Sequence, residues 1–569
     1  MQKLLKTVIQ NALAASIFIA PVATAPLYAQ ASLPQLGDGE DMSVAAERKL
    51  GNRIAREIYR DPDYLDDPLV SDYVQRIWQP LLKAARARGE ITPEQDARFA
   101  WEVMLARDRT VNAFALPGGY LGVHLGLIAL VGNRDELASV LAHELSHVTQ
   151  RHIARITSKQ SQQAPWLLGA LILGTLAARK NSDAASAVIT GSQAASAQAQ
   201  LNFSRDMERE ADRIGYQVMQ DAGFAVQGFV GMFDKLALAN RINDNGSFPY
   251  LRTHPLTTER IGDMQARTQL GAPATLLAEQ QALATEHAII SNRARLLANP
   301  STDVLRAEVQ RARVAQNAPI ISGAPNASNA NASAASIKRI AELTSGAWAA
   351  LRLREPDTAV QLAKQASEVL KNSQNQSAEP VYHAQAAIDL IASEAALAQS
   401  GPARALALLQ RAMQAPSPGD ATGNTSGNAI SRPVLLQFAR VATALGAASG
   451  ASSGATLGAV PSVNAQILAQ ASDKLQSWLA DHPRDALAWD ALAGVYSAQG
   501  LALRALRAQA ESRVAVLDYS AALDRFKAAQ ALALTPGRNS VDHVEASIID
   551  ARARAVLAQL KEFESEKPN

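Results

Sequence analysis

Hydrophobic and polar positions fall into three successive patterns along the chain. First, Lys3 and Lys6 precede a largely apolar run from Val8 to Ala20, followed by Pro21 and small residues through Ala31. As a helix the run would cover ~20 Å of a ~30 Å hydrocarbon core. It therefore reads as a signal peptide over residues 1–31 rather than an anchor. Cleavage after Ala31 leaves Ala29 at the −3 position, whereas cleavage after Ala29 leaves the larger Leu27 there. The expected destination is the periplasm.

The second pattern, from residue 40 to Gly271, is mixed. Trp101 to Leu105 reads as a strand, and Asn112 to Val123 as two short extended pieces around Pro117-Gly118-Gly119. From Leu125 onward helical periods dominate. Leu137, Val140, Leu141, Leu145 and Val148 form one helical face, and Asn133 with Glu136 three residues later forms an N-terminal capping pair.

The third pattern is alanine-rich and pairwise. It follows connecting helices over residues 272–317 and a low-complexity linker over 318–336, and it fills residues 337–565. Glu379 to Gln399 and Ala403 to Gln414 flank a Ser400-Gly401-Pro402 turn. Asp485 to Gln499 and Leu501 to Val516 flank Gly500. In the second pair Trp489, Leu492, Ala493, Tyr496 and Ala505, with Pro483 upstream, fall at tetratricopeptide spacing. Trp348 to Leu370 and Tyr519 to Leu534 show only the alanine pattern, and Ala415 to Arg432 and Gly446 to Ser462 read as loops. The fold class expected is mainly α: a front half with a small β-sheet, then a tetratricopeptide-type solenoid.

Composition narrows the chemistry. Apolar residues make up 48% of the 569 and charged ones 19%, enough for packed cores. Cysteine is absent, which excludes disulfides, thiolate metal sites and cysteine nucleophiles. The 55 basic and 53 acidic residues differ by Lys3 and Lys6 alone, so beyond the signal the chain is neutral and no nucleic-acid partner is expected. Any metal must be held by carboxylates and the nine histidines.

Two of those histidines sit in His143-Glu144-Leu145-Ser146-His147. Residues four apart on a helix share a side, so His143 and His147 can converge on one ion. Glu144, ~100° round, can reach water there without ligating the metal. A catalytic zinc usually has a third protein ligand. Glu208-Arg209-Glu210-Ala211-Asp212 follows His147 by 61 residues. Spacing alone leaves Glu208, Glu210 and Asp212 open as the ligand.

With Asn112-Ala113-Phe114-Ala115 before them and Thr253-His254-Pro255 after, these motifs resemble the HExxH gluzincin family of HtpX-type and prenyl-protein-processing proteases. The signal peptide and the repeats narrow the resemblance to the BepA-like periplasmic zinc metalloproteases and chaperones. It implies that residues 40–271 are the zinc metalloprotease domain, with one zinc ion per chain on His143, His147 and Glu208, and that Asp212 supports a ligand histidine. Glu144 is then the catalytic base. His254 and Arg260, six residues on, match groups that polarise the scissile carbonyl; His254 can instead bind the zinc and hold the enzyme latent, or simply pack in a proline-defined turn. His152, five residues past His147, would point ~140° off the metal face of a continuous helix. It and His124, His287, His383, His482 and His543 are expected not to be ligands.

The resemblance further implies stalled, unfolded or misassembled outer-membrane proteins as substrates. The repeats would recruit them or the barrel-assembly machinery. The alternative is a repeat-based chaperone or scaffold with a latent metal site. Between the two ligand motifs, Pro165 to Ala178 is apolar and ~21 Å long as a helix, short for a span. It reads as a core helix, a lid, or a segment making peripheral contact with a membrane.

Overall fold

Helix α1 (Val44–Arg60) starts where the Ser43 hydroxyl accepts the Ala46 N–H at 3.1 Å. After a two-residue strand β1 (Tyr64–Leu65), α2 (Pro68–Ala87) begins at Asp67, with proline in the first turn where its missing N–H is harmless. The short α3 (Pro93–Arg98) opens on a reciprocal Thr92/Gln95 capping box. These elements belong to a computed structural model that describes residues 42–158, 205–241, 248–268, 277–317, 329–373, 379–414, 430–450, 463–535 and 542–565. The signal peptide, Pro165 to Ala178 and residues 318–328 of the expected linker lie outside the described residues.

The extended pieces become β2 (Glu102–Ala106), β3 (Ala113–Leu116) and β4 (Tyr120–His124). Their order is β1-β2-β4-β3, with β2 parallel to β4 from Glu102↔Tyr120 to Ala106↔His124 and the other pairings antiparallel. Strand β3 is thus an edge, joined to β4 through Gly118 and Gly119 at φ +74° and +83°. Every residue of β4 is buried. It runs into α4 (Leu125–Leu130) and then α5 (Arg134–Thr149), whose start is capped by Asn133 on the Glu136 N–H at 2.9 Å.

Helix α5 was expected to have one apolar face, yet every residue from Glu136 to Thr149 is buried. It is covered by β3, α2, α7 (Arg205–Asp221) and α8 (Gln227–Arg241). The short α6 (His152–Ser158) follows it, and α9 (Tyr250–Thr253) and α10 (Thr258–Thr268) complete the front half. Gly215 lets α7 approach α5 closely: a Cβ there would stand 3.1 Å from the Ala142 carbonyl.

Helix α11 (Leu277–Ala298) lies against α4 and α2 on one side and the helical array on the other. The array runs α12 (Thr302–Asn317), α13 (Asn329–Arg352), α14 (Pro356–Ser373), α15 (Glu379–Ala398), α16 (Pro402–Gln414) and α17 (Arg432–Gly450). It continues with α18 (Val463–Asp481), α19 (Ala486–Ala498), α20 (Ala502–Ala515), α21 (Tyr519–Ala533) and α22 (His543–Ser565). Each helix packs on its sequence neighbour, a solenoid-like arrangement cored by alanines such as Ala347, Ala363, Ala395 and Ala508. Mainly α with a small sheet in front is therefore the fold class. Among the described residues no helix is long and apolar enough to cross a membrane.

Three boundaries need correction. Asn329 to Ser336, expected as linker, starts α13, because alanine-rich low complexity also favours helix. Residues 446–450, expected in a loop, finish α17. Trp348 to Leu370 is interrupted after Arg352, where Arg354 adopts φ +63° before α14 begins.

The array folds back onto the front half through arginines. Arg432 makes two bonds to Asp66 (2.8 and 2.6 Å) and two to Asp485 (2.7 and 2.8 Å). Arg484 reaches Glu102 at 2.8 Å, and Lys49 meets Glu562 at 3.2 Å. Burial would raise the Asp485 carboxyl, but Arg432 holds it below the usual range. Replacing Arg432 by alanine is expected to cost about 3 kcal/mol by leaving Asp485 buried without its cation. The urea midpoint of tryptophan fluorescence checks this. Asp485 contributes stability above the ordinary carboxyl pKa of ~4 and loses it as pH falls through its lower folded value. The wild-type advantage is therefore expected to vanish on that descent.

Candidate metal centre

Because α5 is buried on all sides, its polar residues face protein rather than water. His143 and His147, one turn apart, bring their Nε2 atoms to 3.0 Å of each other. Glu208 enters from the first turn of α7, with Oε2 3.5 Å from His143 Nε2 and Oε1 3.4 Å from His147 Nε2. His254, capping the C-terminus of α9, places Nδ1 3.0 Å from Glu208 Oε1 and 3.3 Å from His143 Nε2. One ligand atom from each of these four buried residues lies within 4.8 Å of all the others. Tyr250 stacks on His254, ring centroids 4.5 Å apart, and fixes that ring.

A layer of charge holds the group. Asp212, one turn along α7 from Glu208, meets His143 Nδ1 at 2.9 Å. The Arg260 guanidinium, carried by α10, donates to Asp212 at 2.6 and 2.9 Å, meets Glu208 Oε2 at 2.8 Å and donates to the Pro255 carbonyl at 2.9 Å. Burial alone would depress His143, yet Asp212 and Glu208 push it up to about 10. Burial takes His147 well below its ordinary value. Burial also opposes the Glu208 and Asp212 carboxylates, but the site histidines hold Glu208, and His143 and Arg260 hold Asp212, below the usual range. Carboxylates that favour an imidazolium at His143 favour any cation facing its Nε2.

These residues fit a divalent cation. Three imidazoles and one carboxylate converging in a buried site form a nitrogen–oxygen donor set suited to zinc. Glu144 supplies a second sign. It is fully buried, and neither of its oxygens accepts a hydrogen bond among the described residues. Among the described residues, His254 Nε2 lies 3.5 Å from Glu144 Oε1. A buried carboxylate in that condition is costly unless a donor or cation comes to it.

The structure thus brings together His143, Glu144, His147, Glu208, Asp212, His254 and Arg260. Arg260 is engaged by two carboxylates rather than aimed at an open position. Glu210, an open alternative from spacing, turns away from the group and meets His152 at 3.0 Å and Arg155 at 3.0 Å. His152 is no member of the four-residue group, but the ~140° expected for it assumed an unbroken helix. The helix ends at Gln150, Arg151 takes φ +52°, and His152 returns to place Nδ1 2.8 Å from His147 Nδ1. Burial lowers its pKa to about 4. The reversal at Arg151 carries no sequence signal that spacing could read. Elsewhere His124 meets Thr110, His287 lies between Tyr73 and the Val131 carbonyl, and His482 stacks on Trp478.

Residues 68–268, from α2 to the end of α10, match the model of peptidase family M48. An Escherichia coli K12 protein described as a beta-barrel assembly-enhancing protease is 32% identical over 267 residues, covering 46% of this chain and 52% of that one. A Yersinia pestis protein of the same description is 34% identical over 253 residues, 43% of this chain and 49% of its own. The mitochondrial metalloendopeptidase OMA1 of Saccharomyces cerevisiae is 29% identical over 231 residues, 38% and 62% respectively. The chain spans about half the length of the bacterial relatives it matches.

Removing the carboxylate behind a ligand histidine typically weakens metal binding ~10–100-fold. Asp212→Asn is expected to raise the zinc dissociation constant by that factor, measured by chelator competition on the purified protein.

Proposed function

We propose that this chain, whose residues 68–268 form a peptidase family M48 domain, is a zinc-dependent endopeptidase acting on exported proteins. The observation that carries the reading is the buried His143, His147, Glu208 and His254 group beside an unsatisfied Glu144. His143, His147 and Glu208 would hold the ion. When bound, zinc supplies Lewis acidity, easing deprotonation of water and polarising a peptide carbonyl. Glu144 takes the proton of the attacking water on a carboxylate oxygen and delivers it to the departing amine nitrogen. Asp212 keeps His143 Nδ1 protonated so that Nε2 offers its lone pair inward. Arg260 helps His143 keep Asp212 ionised and pairs with Glu208 Oε2. Strand β3, an edge of the sheet among the described residues, is the candidate for an extended substrate to pair with.

His254 lies within reach of Glu208 and Glu144, which supports a latent state in which it fills the position a substrate would use. That geometry also favours the second reading, a repeat-based chaperone or scaffold whose metal site is rarely open. The relatives' description as beta-barrel assembly-enhancing proteases supports stalled or misassembled outer-membrane proteins as substrates. The helical array is then the surface that recruits them or the barrel-assembly machinery, and the leader over residues 1–31 directs the chain to the periplasm.

Glu144→Gln is expected to retain zinc and to lower cleavage of an unfolded β-barrel protein by ~10²–10⁴, while His254→Ala raises cleavage above wild type. Gel assays with zinc quantified in each sample measure both. Undiminished cleavage by Glu144→Gln would overturn the mechanism. Zinc bound without cleavage by either wild type or His254→Ala would favour the chaperone.

A further inference from the structure

We propose that His152 and Glu210 act together as a positioning relay that fixes the tautomer and orientation of His147. The inference deepens the zinc reading above and depends on it. It starts from the one ligand histidine whose support Asp212 does not explain.

His147 presents Nε2 to the group and turns Nδ1 toward Nδ1 of His152 at 2.8 Å. The rings are inclined by 75° rather than stacked, which leaves the two nitrogens as the point of contact. On the other side of its ring, His152 Nε2 lies 3.0 Å from Glu210 Oε2, which Arg155 also contacts at 3.0 Å. With a neutral imidazole at His152, one assignment of protons satisfies these contacts. Ionised Glu210 can only accept, so His152 carries its proton on Nε2 and donates it there. Its Nδ1 is then an acceptor, and His147 must donate from Nδ1. His147 Nε2 is left with a lone pair directed at the metal group. Reversing the chain would set a bare His152 nitrogen against the carboxylate and a proton on His147 Nε2 where a cation belongs. The carboxylate at the far end therefore decides which nitrogen of His147 can ligate, two residues removed from the ion.

The arrangement parallels Asp212 at His143 Nδ1, and both carboxylates come from α7. Two residues along a helix turn the side chain by ~200°, so Glu210 cannot share the face from which Glu208 and Asp212 reach inward. It serves His152 instead. The reversal that delivers His152 is itself braced: Gln95 donates to the Thr149 carbonyl at 2.9 Å, and Arg151 pairs with Glu47 at 2.9 Å. His152 is completely buried, whereas Glu210 retains about a third of its side-chain exposure, so removing the carboxylate opens no core cavity.

The test uses the full-length protein with His152→Ala, His152→Asn and Glu210→Ala. Asparagine keeps an acceptor oxygen in the place of Nδ1. Three quantities are measured: zinc affinity by chelator competition, the visible spectrum of the cobalt(II)-substituted protein, and the urea midpoint of the zinc-free protein. His152→Ala is expected to weaken zinc binding about tenfold or more and to shift the cobalt bands. His152→Asn should restore most of the affinity. Glu210→Ala should weaken binding in the same direction with an unchanged zinc-free midpoint. The relay is overturned if zinc affinity in His152→Ala and Glu210→Ala stays within twofold of wild type, or if His152→Asn is no better than His152→Ala. A wild type that binds no zinc overturns the metal reading and the relay with it, whereas unaltered variants beside a zinc-binding wild type overturn the relay alone.

Discussion

The structure depends on pairing acidic and basic side chains inside a buried site. His143, Glu144, His147, Glu208, Asp212, His254 and Arg260 are all buried, most of them between α5 and α7. Such groups are tolerated only when each charge meets an opposite one at close range. Arg260 does this for Asp212 and Glu208 together, and the histidines complete the balance. The helix spacing that makes these distances possible rests on Gly215 facing the backbone of Ala142 and His143. A larger residue there would separate the helix that carries two histidines from the helix that carries the acids.

The surrounding architecture holds that helix pair still. Strand β4 and its parallel neighbour β2 lead into the all-buried α5, and α11 packs across α4 and α2 from behind. The helical array is joined to the front half by a continuous apolar core and by arginines. Arg432 joins Asp66 to Asp485, and Arg484 sits on Glu102 and on the Tyr120 hydroxyl, where β2 and β4 begin. Arginine suits these joints because its planar fork satisfies two carboxylates at once.

Much of this is legible in the sequence. The Pro-Gly-Gly turn marked a hairpin, Asn133 marked the start of α5, and Ser400-Gly401-Pro402 and Gly500 marked helix reversals, because turns and caps are settled within a few residues. The errors share a cause. Asn329 to Ser336 has the composition of a linker yet forms helix, because composition carries no record of packing partners. The break after Arg352 is not legible in the sequence, because a left-handed Arg354 has no local signature. The angle expected for His152 assumes an ideal helix, which in fact stops two residues earlier.

The sequence by itself determined that His143 and His147 share a helix face with Glu144 beside them, since a four-residue spacing on one helix needs nothing beyond helical geometry. It also determined the donor chemistry, for without cysteine only imidazole and carboxylate remain. Which of Glu208, Glu210 and Asp212 faces the histidines was decided only by how α7 packs on α5. Tertiary structure likewise set Arg260 against carboxylates and returned His152 to His147. Those outcomes are distances between segments far apart in the chain, and no spacing along one helix contains them.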